Sequence, residues 1–392
     1  MHLLPAEARI LFLALAPDDA RDEAALAPLA TPHTNWRLVT HLAERERLLS
    51  VLWYGLRDVD VVPREMQAAI RRRTAVIEFR MAATRARLEQ IVSRLAAEGI
   101  PSLLLKGAAL ASSVYPSFAH RPMNDLDVLV PADDAARAWQ HVRALGWTPE
   151  QDGGAEFHEA FHHLKPLVDP SGSGIVVEIH RSMMPRPGPF VLANEEIWSE
   201  STEARLGGAS ARVPSDLHQL LHLSVHFAWS HYLAGGLARA VRDVAHLTAR
   251  RDIDWDKFLS LARSARASTC AFWTLRLSKS LGAARVPDPV LRALRPPLPH
   301  AAIRTLERAY VTAALFDLCP SLAARKALWT VGVQPRRSGH GAHRPWQVTE
   351  RFRQVFHEGP KPPLPERVRG QLRRADAWLR FARAMGGGSM AS

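Results

Sequence analysis

The chain has 392 residues, 47% of them hydrophobic and 23% charged, with 51 Lys and Arg against 39 Asp and Glu for a net charge of +12. At roughly 100–200 residues per domain this length suggests two or three units, and the composition supports a large packed core and excludes global disorder. Two cysteines, Cys270 and Cys319, are too few for a disulfide scaffold or a cysteine zinc site and fit a reducing cytoplasm. No apolar run approaches the ~20 residues of a membrane helix, and no positively charged segment precedes Ile10 to Ala16, so neither a membrane span nor a signal peptide is expected.

Residues 1–95 read as a helical region rich in Ala, Leu, Arg and Glu. Apolar residues recur at threes and fours from Arg64 to Glu98 (Ala69, Ile70, Val76, Ile77, Phe79, Met81, then Leu88, Ile91, Val92, Leu95), with Pro63 at the first turn and Gly99 as the stop. The pattern then shortens. Ile100 to Leu105 is a buried strand between Gly99 and Gly107, Ala108 to Val114 a short helix, and Tyr115 to Asn124 a loop. Leu126 to Val130 is a second strand, and Ala132 to Leu145 a helix ending at Gly146. Phe157 to Val168 and Ile175 to Ile179 read as further strands around the turn Asp169-Pro170-Ser171-Gly172. Alternating strands and helices over 96–185 predict a small mixed-sheet α/β (α+β) core. A helical region is expected over 186–332, with helices at 214–249, 254–264, 268–282 and 299–330. The segment 333–392 is a basic, Pro- and Gly-rich stretch with a short terminal helix.

The chemistry concentrates in Leu104-Leu105-Lys106-Gly107-Ala108-Ala109-Leu110 and Arg121-Pro122-Met123-Asn124-Asp125-Leu126-Asp127-Val128-Leu129-Val130. Asp125 and Asp127, two apart at the start of a strand, point to one face and can clasp a metal ion. Such a pair repels itself without a cation, and hard oxygen ligands suit magnesium, or manganese in its place. A bare Asp-x-Asp is equally a polar turn. A third carboxylate, Glu178, interrupts the apolar run Ile175-Val176-Val177-Glu178-Ile179-His180. If the two strands are neighbours, it completes a three-carboxylate cluster able to hold two metals. Lys106-Gly107 opens a short helix, whose free amides, with Lys106 and Arg121, suit a phosphate.

These segments resemble the uncharacterised nucleotidyltransferase family of the DNA polymerase beta-like superfamily. The resemblance rests on Leu-Leu-Lys-Gly-Ala-Ala-Leu, Tyr-Pro, Arg-Pro, Asp-Leu-Asp-Val-Leu-Val and Glu-Ile-His, and runs from about Pro101 to Leu247, where Arg242-Asp243 looks like a family Asp on a helix. It implies a bacterial, metal-dependent enzyme that moves a nucleoside monophosphate from an NTP to an acceptor and releases pyrophosphate. Asp125, Asp127 and Glu178 would be catalytic metal ligands, and Lys106, Gly107, Arg121 and His180 would bind nucleotide. The acceptor is left open among a small molecule, a peptide, a protein and an RNA. The chain departs from the superfamily in having Lys106-Gly107 where Gly-Ser is usual, a longer gap from Gly107 to Asp125, and Glu178 where Asp is commoner.

Other patterns compete. The basic charge attracts phosphates, nucleotides or RNA, so a binding protein without turnover is the alternative, with Arg336, Arg337 and Arg344 as contacts. The excess of Arg over Lys also fits GC-rich coding, so charge alone decides little. His158-Glu159-Ala160-Phe161-His162 matches the zinc-protease pattern His-Glu-x-x-His, but Gly153-Gly154, Pro166 and Pro170 surround it and disfavour a helix there. His162 and His163 are instead candidates for lining the nucleotide pocket. His218, His222 and His226 share a predicted helix face. They are read as partly buried histidines or as substrate contacts, and Trp229, His231 and Tyr232 as core or as stacking groups.

Overall fold

In the computed structural model, which describes residues 4–333 apart from 22, 151–160, 187 and 317–321, the N-terminal quarter is helical. It comprises α1 (Ala6–Leu15), α2 (Glu23–Leu26), α3 (Trp36–Arg45), α4 (Leu49–Leu56) and α5 (Arg64–Ala97). Every residue of α1 from Ile10 to Leu15 is buried, as an all-round apolar helix requires. Pro63 immediately precedes α5, and Gly99, at φ 70°, ends it with Ile100 N–H bonded to Leu95 O at 2.9 Å. The buried stripe of α5 runs through Ile70, Thr74, Met81, Thr84, Leu88, Ile91 and Leu95. Val76 and Phe79, grouped with that stripe from sequence, are instead 60% and 77% exposed. They sit one and two residues off Ile77 and Met81, hence about 100–200° around the helix.

The chain next supplies β1 (Leu103–Leu104), α6 (Lys106–Ser113), β2 (Asp125–Leu129), α7 (Ala135–Ala144), β3 (Thr148–Pro149), β4 (Leu167–Val168) and β5 (Val176–His180). The fold is mixed α/β. Among the described residues the seven-stranded sheet has the order β3-β4-β5-β2-β1-β7-β6, with helices against it. β2 runs parallel to β5 and antiparallel to β1. The expected first strand shrinks to two paired residues, Leu103 and Leu104; Leu105 is still extended and donates its N–H to Asp127 O at 2.9 Å, and the helix begins at Lys106. Of the stretch Phe157 to Val168, residues 157–160 lie outside the described residues, and only Leu167–Val168 belongs to a strand, with a single further bridge from His163 to His180.

After α8 (Asn194–Ser199), the hairpin β6 (Thr202–Leu206) and β7 (Ala209–Val213) adds two strands beyond residue 185, with β7 parallel to β1. Its sequence alternates and carries a two-residue Gly207-Gly208 loop, with Gly207 at φ 58°, a conformation that favours glycine. Glu89 on α5 accepts the Gly208 N–H at 2.7 Å and ties the loop down.

Residues 214–249 do not form one helix. α9 (Asp216–Val225) passes into a π-helical turn, His226–Ser230. The chain then crosses to α10 (Leu237–Arg250) with Tyr232, Leu233 and Gly236 at φ 54°, 54° and 72°. Ser215 caps α9 by accepting the His218 N–H. The remaining helices are α11 (Trp255–Ser264), α12 (Ser268–Gly282), α13 (Asp288–Leu294), α14 (His300–Phe316) and α15 (Leu322–Gly332).

Two cores follow from strand alternation. Leu126, Val128, Val177 and Ile179 pack on one face of the sheet against Leu88, Ile91 and Leu95 of α5 and Ala138 and Val142 of α7. The other face turns toward the larger core built on α1, α9, α10 and α12. Asp125, Asp127, Glu178 and His180 sit at the alternate positions and lie on this second face.

Candidate active site

The register of β2 and β5 places Asp127 opposite Glu178 and Leu129 opposite His180. Asp127 is 1% exposed and His180 fully buried, and Asp125, two residues nearer the strand start, is exposed. His180 Nε2 donates to Asp127 Oδ1 at 2.8 Å and lies 3.3 Å from Glu178 Oε2. One ligand atom each from Asp127, Glu178 and His180 fall within 4.8 Å of one another, a spacing that suits a bound cation. Asp125 stands outside this group, so the observed trio is two carboxylates and an imidazole rather than three carboxylates.

A cationic side chain already lies there. Lys106 Nζ donates to Asp127 Oδ1 at 2.5 Å and is 3.7 Å from Glu178 Oε2. Burial alone would lower the Lys106 pKa, but Asp127, Glu178 and Asp125 outweigh it and hold it above its ordinary value. Burial likewise opposes ionisation of Asp127 and Glu178, and Lys106 and His180 reverse that effect and hold both carboxyls below the usual range. The His180 imidazole is raised despite burial, because Asp127 and Glu178 accept from it. Lys106 has φ 47°, a left-handed conformation rare for a residue with a side chain. Strain of order 1–3 kcal/mol persists when the surroundings over-determine it, as the grip of two carboxylates on the ammonium does here.

Beside Lys106 opens a cavity of about 250 Å³ whose walls include Gly107, Arg121, Asp125 and His222. Gly107 is buried at the first turn of α6, and a methyl added there would meet Met123 Sδ at 3.3 Å. His226 and His231, their Nε2 atoms 2.9 Å apart, form part of the same wall at the π-helical turn, an irregularity frequent at functional sites. Burial, followed by the nearby Lys106, pushes His222 down to about 3. Burial and then His231 push His226 well below its ordinary value, so both rings are neutral, each with one N–H donor and one acceptor nitrogen. His218, the third residue of that predicted face, is absent from this wall and lies 3.7 Å from both Glu196 and Glu200. Tyr232 and Trp229 pack edge-on against Trp329 in the core. His162 and His163 each have their rings 5.3 Å from His180, behind the carboxylates. His158, Glu159 and the basic residues Arg336, Arg337 and Arg344 lie outside the described residues.

Arg121 is engaged by a carboxylate. Its Nε donates to both oxygens of Asp243 at 2.8 and 2.9 Å, and its Nη1 to Pro122 O at 3.2 Å. Tyr115 also donates to Asp243, at 2.8 Å. Burial would lower the Arg121 pKa, but Asp243 overrides it and holds it above its ordinary value. The motif reading missed two further cations on the cavity wall, Arg47 and Arg239. Arg47 has φ 58°, and Arg239 lies in the first turn of α10 behind Gly235-Gly236. Buried Glu46 accepts the Ala238 N–H at 2.9 Å and fixes that turn. The Gly-Gly pair ahead of a helix bearing Arg239 was the available signal. Arg47 carried none.

Residues 32–283, well over half of the chain, match the uncharacterised nucleotidyltransferase family, and the chain belongs to it. No curated protein and no solved structure matches the chain.

Proposed function

We propose that the protein is a divalent-cation-dependent nucleotidyltransferase that moves a nucleoside monophosphate from an NTP to an acceptor and releases pyrophosphate. Family membership supports nucleotidyl transfer in general. The observation that carries the reading at this site is the buried pair Asp127 and Glu178, held face to face across β2 and β5 with a cation already between them. The ammonium of Lys106 marks where positive charge is stabilised, and the carboxylate oxygens there suit Mg²⁺ or Mn²⁺. Asp127 and Glu178 would hold the ion, with Asp125 completing its shell from the exposed end of β2 and His180 orienting the carboxylates. The bound ion would supply charge neutralisation for the triphosphate.

In this reading the acceptor hydroxyl oxygen would attack the α-phosphorus, the bond from that phosphorus to the oxygen bridging to the β-phosphate would break, pyrophosphate would leave, and the acceptor's proton would pass to solvent. With an ion held by the carboxylates, Lys106 would be free to pair with phosphate. The Gly107 amide, Arg121, Arg47 and Arg239 face the triphosphate from the cavity wall. Glu178, opposite Asp127 across the strands, is assigned to the ion. Pyrophosphate release from mixed NTPs, with Mg²⁺ or Mn²⁺ and candidate small-molecule, peptide, protein and RNA acceptors, tests the proposal. Release that needs the cation and falls about 10³-fold in Asp127→Asn, roughly 4 kcal/mol of barrier, is expected. NTP binding without release would leave a nucleotide- or RNA-binding protein instead. Release unchanged in Asp127→Asn would remove the assignment.

A further inference from the structure

A second and larger cavity, about 860 Å³, lies apart from the carboxylates between α5, the Tyr115–His120 loop and α10. This is within the ~300–1,000 Å³ usual for small-molecule sites. It shares no lining residue with the cavity beside Lys106. Six arginines reach it (Arg21, Arg57, Arg85, Arg205, Arg242 and Arg250) against three carboxylates, Asp18, Asp58 and Glu78. Those carboxylates are occupied. Asp18 pairs with Arg21 at 2.9 Å, Asp58 with Arg57 at 3.3 Å, and Glu78 accepts from Tyr54 at 2.7 Å.

The other four arginines make no ion pair among the described residues. Arg242 Nη1 donates to the His120 carbonyl at 2.6 Å and Arg250 Nη1 to the Val114 carbonyl at 2.9 Å, contacts that fix each guanidinium without neutralising it. Arg242 is 4% exposed and, like Arg85, Arg205 and Arg250, brings to the cleft wall a guanidinium charge that no carboxylate among the described residues neutralises. Uncompensated positive charge around an open cleft of this size is what an anionic ligand would satisfy. The guanidinium fork matches phosphate oxygens. Tyr54 and His120, stacked with centroids 4.4 Å apart, give the same cleft a flat wall.

We propose that this cleft is a second ligand site, which takes a phosphate-bearing small molecule independently of the carboxylate cluster. Arg242 lies over the Tyr115 ring at 4.3 Å, Tyr115 donates to Asp243, and Asp243 holds Arg121 on the other wall.

Calorimetric titration of the full chain at low salt, with EDTA to silence any cation-dependent site, tests the proposal. The probes are inorganic phosphate, pyrophosphate, glucose 6-phosphate and AMP, whose ranking separates a bare anion, a phosphorylated sugar and a nucleotide as the source. At least one should bind. The double variant Arg85→Glu, Arg205→Glu, which alters two exposed side chains outside any ion pair, should weaken it at least ten-fold with unfolding unchanged. Asp127→Asn should bind it as the wild type does. The proposal is overturned if no probe binds, if the arginine variant binds normally, or if Asp127→Asn abolishes binding.

Discussion

Two buried ion pairs stand beside the same cavity, and they differ in how completely they are satisfied. Asp243 accepts from Arg121 Nε on both oxygens and from the Tyr115 hydroxyl, all at 2.8–2.9 Å, and is 1% exposed. Its charge is matched by one fixed guanidinium, and it ties the loop before β2 to α10. Asp127 and Glu178 are two carboxylates served by one ammonium and one imidazole, beside an open cavity. The first arrangement is closed. In the second, the neutralising group sits on a flexible stem that can be exchanged for another cation. Similar charges thus act as a strut in one place and as a receptive site in the other.

The contrast is open to attack first at the strut. Asp243→Ala leaves Arg121 buried without its carboxylate, and breaking such a pair by removing one partner costs about 3–5 kcal/mol. Denaturant unfolding should show that loss, and Mg²⁺ should not restore it. A loss below about 1 kcal/mol would mean that the pair is not structural. The next largest effect is expected at the receptive site. Lys106→Met leaves Asp127 and Glu178 facing each other without a cation, so stability should fall in EDTA and recover with added Mg²⁺. At a concentration 100 times the dissociation constant, the linkage amounts to about 2.7 kcal/mol. Thermal unfolding of this variant that ignores Mg²⁺ would count against exchange of ammonium for metal.

A third effect concerns pH. His222 has a folded pKa of about 3, against about 6.5 in an unfolded chain. Between those values the unfolded state binds the extra proton, so stability rises with pH through this window and is lost as pH falls from about 6.5 toward 3. Unfolding of His222→Leu measured from pH 7 to 4 should show a shallower acid decline than the wild type. Parallel curves would mean that the ring is not buried neutral.

What the sequence made legible follows from local pattern. Acidic residues interrupting apolar strands at a spacing of two mark Asp125, Asp127 and Glu178 as sharing a face once the strands are neighbours, and Gly99 marks the end of α5. The rest depends on partners far along the chain. That Arg121 is held by a residue 122 positions later, or that Lys106 reaches back to carboxylates instead of out to phosphate, is set by packing that no local spacing encodes. The hairpin at 202–213 did carry its signals, alternation around Gly207-Gly208. The interruption of the helix expected over 214–249 was marked by Gly235-Gly236, but the π-helical turn at His226 had no composition cue.

The central claim is that the Asp127–Glu178 face of β2 and β5 holds the working cation. Electron paramagnetic resonance of Mn²⁺ titrated into the full chain with ATP, compared among the wild type, Asp127→Asn, Glu178→Gln and the strut variant Asp243→Asn, tests it most directly. Bound Mn²⁺ should be lost or weakened at least ten-fold in the first two variants and retained by Asp243→Asn wherever that protein is folded. Equal Mn²⁺ binding in the wild type, Asp127→Asn and Glu178→Gln would contradict the account.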